Sequence, residues 1–225
     1  MSKTLFLPWR SVLLGLGIAC SSLPPVRAHV AGERVMIDLS STPIGHLPDS
    51  FVTARTGRGA PAEWSVQEDA SVAGGRVLTQ TSIDQTNYRF PLAIYEKLSA
   101  VNLDVTVRFK AGTGRVDRAA GIAIRLIDPD NYYVVRANAL EDNVNFYHVV
   151  KGSRREIMGS SVKVESGVWH TLGLRAERDI FTVSLNGRTV LTATDRTFTN
   201  PGKAALWTKT DSVTRFDALT IATLP

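Results

Sequence analysis

Apolar and polar residues alternate along most of this chain, in short runs interrupted by Gly, Asn, Asp and Pro. Asn102 to Lys110 is the clearest case. Leu103, Val105, Val107 and Phe109 share one side and Asp104, Thr106 and Arg108 the other, the signature of a strand with one wet face. Similar β-rich runs occupy Arg34 to Leu39, Phe51 to Thr53, Trp64 to Val66, Arg76 to Gln80 and Tyr88 to Ile94. Further along come Arg154 to Met158, Trp169 to Ala176, Phe181 to Leu185, Thr189 to Thr194, Lys203 to Thr208 and Arg215 to Thr223. Asn186-Gly187 is a strong two-residue hairpin signal. After residue 28 no run carries the 3.6-residue period of an amphipathic helix. About a dozen short strands at a spacing of roughly 8–12 residues predict an all-β, antiparallel sandwich or barrel. With no internal repeat, low-complexity tract or linker, the pattern predicts one domain.

Gly121 to Val150 allows the register to be worked out. Asp128-Pro129-Asp130-Asn131 is turn chemistry, so Asp128 faces Asn131. A regular ladder then sets Ile127 opposite Tyr132, Arg125 opposite Val134, Ala123 opposite Arg136 and Gly121 opposite Asn138. The turn at Ala139 to Asp142 sets Asn138 opposite Asn143, Arg136 opposite Asn145 and Val134 opposite Tyr147. Period two sorts Ile122, Ile124, Leu126, Tyr133, Val135, Ala137, Val144, Phe146 and His148 to a core face, His148 as a buried structural residue. The other face collects Gly121, Ala123, Arg125, Arg136, Asn138, Asn143, Asn145 and Tyr147, with Ile127, Tyr132, Val134 and Val149 at one end. Small residues beside Arg136 and Asn138 predict a shallow polar trough. Such a trough suits sugars, since amides and guanidinium groups pair with vicinal hydroxyls and an aromatic ring stacks on a pyranose; an ordinary solvated sheet face has the same composition.

The N-terminus changes the charge reading. Met1 to Ala28 has basic Lys3 and Arg10, the apolar run Val12 to Ala19 and small residues before a cleavage point at Ala28, the pattern of an export signal. The expected domain is 29–225, periplasmic or extracellular, without a transmembrane helix. Leu16 to Cys20 also resembles a lipobox, with a lipid anchor at Cys20 as the alternative. Cys20 is the only cysteine, so the remaining domain has no disulfide or thiolate chemistry. The formal charge of +5 falls to +2 once Lys3, Arg10 and Arg27 are set aside, which removes the support for a nucleic-acid partner.

Other chemistry is sparse. Asp128, Asp130 and Asn131 offer hard oxygen ligands for Ca²⁺, but hairpin chemistry accounts for them, so no metal or cofactor is expected. His170 has no nearby His or acid at metal-ligand spacing. Glu141-Asp142 sit in a turn with diverging side chains, and no E-x-D-x-x-E acid pair of the glucanase kind exists.

Trp169-His170-Thr171-Leu172, Phe181 to Val190 with its Leu185-Asn186-Gly187, Gly202 to Trp207 and Phe216 to Ile221 follow one another in an order that resembles the concanavalin A-like jelly rolls, in the laminin G-like and 3-keto-disaccharide hydrolase-like branch. The N-terminal half also fits, through Asp38, Pro48, Trp64 to Val66 and Val77 to Gln80. Ala205 stands where that pattern has a second glycine, which matters only if the backbone there takes a positive φ. The resemblance implies an exported module binding a carbohydrate or glycoconjugate on a concave sheet. The expected contacts are Arg125, Arg136, Asn138, Asn143, Asn145 and Tyr147, with Trp207, Lys209 and Asp211 at the rim. Two alternatives stay open: a glycoside-acting hydrolase of the 3-keto-disaccharide type, drawing on Glu141, Asp142, His170 or Asp211, and a non-enzymatic envelope or adhesion module that binds protein.

Overall fold

The computed structural model describes residues 32–225 and Met1. The export-signal and Cys20 readings lie outside the described residues. The strands are β1 (Arg34–Met36), β2 (Phe51–Gly57), β3 (Trp64–Glu68), β4 (Arg76–Gln80), β5 (Arg89–Ala100), β6 (Leu103–Thr113), β7 (Ala119–Asp128), β8 (Asn131–Asn138), β9 (Asn143–Val150), β10 (Ser153–Ser161), β11 (His170–Glu177), β12 (Ile180–Leu185), β13 (Arg188–Thr194), β14 (Gly202–Trp207) and β15 (Val213–Thr223). They form two antiparallel sheets. The first runs β13-β12-β11-β6-β15-β4-β3, with β1 also on β15; the second runs β10-β9-β8-β7-β14-β5-β2. No helix long and apolar enough to cross a membrane occurs among the described residues.

Alternation explains why the sheets stack. In β6, Leu103, Val105, Val107 and Phe109 are all buried between the layers. Ile122, Ile124, Tyr133, Val135, Val144 and Phe146 answer from the second sheet. Tyr133, Phe146, Phe181 and Phe198 form an aromatic cluster with ring centroids 4.6–5.6 Å apart. Truncating one such ring to Ala costs about 3–5 kcal/mol. A second apolar cluster lies on the outer face of the second sheet and includes Phe90, Leu92, Ile94, Ala123, Tyr132, Val134, Tyr147 and Trp207. That sheet is therefore apolar on both sides, which the expectation of one polar face did not foresee.

The expected register holds from Asn131 onward: Asn138 faces Asn143, Arg136 faces Asn145 and Val134 faces Tyr147. Asp128 faces Asn131 as expected, but β7 bulges after Ile124. The ladder resumes displaced by two residues, with Ala123 opposite Val134, Gly121 opposite Arg136 and Ala119 opposite Asn138. A two-residue displacement keeps the side chains from Ala119 to Ile124 on their expected faces, and the bulge reverses those of Arg125 and Leu126. Ile122 and Ile124 still point inward and Ala123 outward, whereas Leu126 joins the outer cluster and Ile127 is exposed.

At the bulge Arg125 has φ +48°. Gly202 on β14 makes room for it: a Cβ there would lie 2.3 Å from the Arg125 carbonyl carbon. Ala205 has no positive φ and packs between Ala123 and Ile94, so nothing at this position requires a glycine.

Candidate functional site

The outer face of the second sheet narrows to a polar end where β7, β8 and β9 meet two loops. Arg136 projects from β8 opposite Gly121, against which Trp207 packs. A Cβ at Gly121 would sit 3.1 Å from the Trp207 ring. The hollow expected beside Gly121 is thus filled by Trp207. Arg136 is 2% exposed; its Nη2 donates to Glu141 Oε2 (2.6 Å) and Asn143 Oδ1 (2.8 Å), while its Nε has no hydrogen-bond partner. Burial pushes Glu141 upward, but Asn143 and Arg136 more than offset it and hold its carboxyl below the usual range.

Asp117 enters from the loop before β7. Asn138 Nδ2 donates to its Oδ1 (3.0 Å), and Lys209 Nζ forms an ion pair with its Oδ2. Asp117 is buried, and that burial raises its pKa against the pull of Lys209 and Arg136. The loop is held by Asp211, whose carboxylate accepts the backbone N–H groups of Arg115 (2.7 Å), Val116 (3.1 Å) and Asp117 (3.1 Å). Three converging amide dipoles are a strong anion cap. Asp211 therefore positions Asp117 and is itself 3% exposed, which corrects its expected place as a rim contact. Asn138 is likewise buried, its Oδ1 receiving the Leu140 and Glu141 amides, so it shapes the turn that carries Glu141.

Arg154, from the edge strand β10, was not anticipated as a site residue. Its guanidinium lies over Tyr147 (4.4 Å to the ring centroid), Phe90 (4.8 Å) and Trp207 (5.8 Å). Arg136 lies 5.7 Å from the same Tyr147 ring. Trp207 is fully buried, stacks on Phe90 and donates from Nε1 to Tyr132 Oη. Neither Trp207 nor Tyr147 presents a free ring to solvent, which corrects the expected stacking platform: these rings form the bed of Arg154. Asn145 donates to Glu156 Oε2 (2.8 Å) and faces Gly159, whose missing Cβ leaves it space.

Arg125 is not part of this constellation. The bulge turns its side chain to the inner face of the sheet, where Nε donates to Val101 O (2.9 Å), Nη1 to Phe198 O (2.7 Å) and Nη2 to Arg178 O, over the Phe181 ring. Of the nine expected contacts, Arg136, Asn143, Asn145, Tyr147 and Lys209 meet on one face, Asn138, Trp207 and Asp211 support it from beneath, and Arg125 lies elsewhere.

The remaining candidates are structural. Asp128 accepts Asp130 N and Asn131 Nδ2, a hairpin turn. Among the described residues no three His, Cys, Asp or Glu side chains gather as a metal site. His170 is bound by Glu165 O and Asn186 Nδ2. His148 points to the core side but is about one-fifth exposed, next to Thr197 and Asp195, so it is not the buried residue expected. Asp142 leaves the site to pair with Lys163.

No protein-family model matches the sequence, and no curated protein is significantly similar to it. Solved structures are similar in fold. Carbohydrate-binding module CBM66 from Bacillus subtilis has 18% identity and a TM-score of 0.59 over 78% of this chain and 98% of that one. A Bacillus subtilis protein of unknown function with a galectin-like fold has 11% identity and a TM-score of 0.58 over 87% and 97%. Domain 4 of the GH43 extracellular arabinanase AbnA from Geobacillus stearothermophilus, in complex with arabinotriose, has 12% identity and a TM-score of 0.55 over 86% and 93%. With its two stacked antiparallel sheets, the chain has the concanavalin A-like, galectin-like β-sandwich fold.

Proposed function

We propose that the protein binds carbohydrate on the outer face of its second sheet, where Arg136, Arg154, Asn143, Asn145, Glu141 and Lys209 meet. The observation that carries this reading is the pair of guanidinium groups around Tyr147, each with a buried N–H donor that has no acceptor among the described residues. Buried polar atoms are normally satisfied, so unmet donors beside amide and carboxylate groups suit a ligand rich in hydroxyls. The aromatic side chains contribute by fixing Arg154, and planar polar groups do the recognition. Two of the structurally similar chains, a carbohydrate-binding module and an arabinanase domain in complex with arabinotriose, support the same reading. The apolar residues of this face are buried, which argues against a broad apolar protein-docking patch. The export-signal pattern of Met1 to Ala28 supports binding outside the cytoplasm.

Screening the protein on a glycan array, alongside Arg136→Ala, tests the proposal. Wild type is expected to retain a defined set of glycans and Arg136→Ala to lose them. Absence of glycan binding, or unchanged binding by the variant, would sink it.

One observation favours a catalytic second reading. Asp117 and Glu141 interact across Arg136, with the Asp117 pKa raised by burial and Glu141 lowered, the divergence that separates an acid from a base. Release of reducing sugar from a retained glycan, abolished in Asp117→Asn, is what that reading requires.

A further inference from the structure

We propose that the saccharide bound here is acidic, a uronate whose carboxylate docks on the Arg154 guanidinium; this rests on the carbohydrate-binding reading above. Three cations share the face. Arg136 has Glu141, and Lys209 has Asp117. Arg154 has no ion-pair or side-chain hydrogen-bond partner among the described residues, and Glu156 on its own strand is engaged by Asn145. The ring bed of Tyr147, Phe90 and Trp207 strips water from one side of the guanidinium. Arg136, bordering the same ring, adds like-charge repulsion. Burial accordingly lowers the Arg154 pKa, and Arg136 lowers it further.

The other interior guanidinium groups of this molecule show what the fold does when an arginine is structural. Arg89 is fully buried and spends its donors on Ala60 O (2.9 Å), Thr210 O (2.8 Å), Pro61 O (2.7 Å) and Ser82 Oγ (3.0 Å). Arg125 spends its donors on three carbonyls. Arg154 spends none, and it keeps part of its surface.

Carboxylate matches a guanidinium held against rings, because its two coplanar oxygens meet two coplanar N–H groups edge-on. A neutral sugar supplies hydroxyl acceptors but leaves the charge uncompensated. Glu141, Glu156 and Asp117 border the site and disfavour a multiply charged phosphate. A uronate brings one charge per ring and keeps vicinal hydroxyls for Asn143 and Asn145.

The test titrates the protein calorimetrically with oligomers of galacturonate, glucuronate and mannuronate. Each is run against its carboxyl-reduced counterpart and a sulfated oligomer of equal length, at low and high salt. At least one uronate is expected to bind about 10-fold or more tighter than its reduced form, with the preference weakening in salt. Arg154→Gln is expected to bring that ratio to about one while still binding the reduced form, and unfolding midpoints check that it is folded. Equal wild-type affinity for acid and reduced forms overturns the acidic ligand and leaves carbohydrate binding standing, as does a preference for sulfated over uronate oligomers. A preference that survives in Arg154→Gln overturns the assignment to Arg154. If no saccharide of any kind binds, the underlying reading fails together with this one.

Discussion

Arg125 and Arg154 turn to opposite faces of one sheet, both against aromatic rings, and are opposites in chemistry. On the inner face a bulge, a positive φ and Gly202 bring the Arg125 guanidinium to three backbone carbonyls over Phe181. On the outer face the edge strand β10 lays the Arg154 guanidinium over Tyr147, and no acceptor meets it among the described residues. Arg125 converts three of its N–H donors into tertiary cross-links between the loops at Val101, Arg178 and Phe198. Arg154 holds the same donors in reserve. Burial and aromatic contact are common to both, so neither marks a site; the accounting of hydrogen-bond acceptors does.

The largest effect expected from breaking this contrast is at Arg125. Arg125→Ala orphans three carbonyls and opens a gap beside Phe181, and should lower stability by about 3–5 kcal/mol in denaturant unfolding. A loss below about 1 kcal/mol would show that the bulge is held by something else. Next in size is Asp211→Asn, which weakens the cap on Arg115 to Asp117. It should lower stability by about 1–2 kcal/mol and reduce glycan affinity, since Asp117 and Lys209 lose their fixed positions.

The same variant sharpens the comparison through pH. Burial pushes the Asp211 carboxyl upward, but the amides of Arg115, Val116 and Asp117 prevail and depress it. A depressed carboxylate contributes stability that is present above its ordinary value of 3.8 and lost as pH falls through its folded value. The stability gap between wild type and Asp211→Asn should therefore be full at neutral pH and close as pH falls below 3.8. A gap that does not change down to pH 2 would mean that the ionised form is not what the loop depends on.

The smallest stability effect is expected at Arg154. Arg154→Gln removes no hydrogen bond seen in the fold and relieves repulsion from Arg136, so thermal unfolding should shift by less than about 0.5 kcal/mol equivalent in either direction. A destabilisation comparable to that of Arg125→Ala would make Arg154 structural and erase the distinction between the two faces.

Much of this was legible in the residues. The alternation of Leu103 to Phe109 and the turn at Asp128 to Asn131 predicted real strands and a real hairpin, because period-two burial and turn chemistry are local. The face assignment around Arg136 also survived, since the β7 displacement is an even number of residues. Arg125 was misplaced because a bulge accommodated by Gly202, some 75 residues later, leaves no local signal at Arg125. Asp117 and Arg154 were missed for a related reason. One lies in an unremarkable charged loop and the other in a weak edge strand, and each gains its role only from groups distant in sequence.

The chain by itself thus determined its all-β class, its strand periods and, away from the β7 bulge, which side of a strand faces the core, because these follow from steric and solvation preferences that act over a few residues. Only the tertiary structure decided which polar side chains are used up and which are left to meet a ligand. That depends on acceptors contributed by segments far apart in sequence: three carbonyls close around Arg125, three amides close on Asp211, and a ring bed without an acceptor lies beneath Arg154.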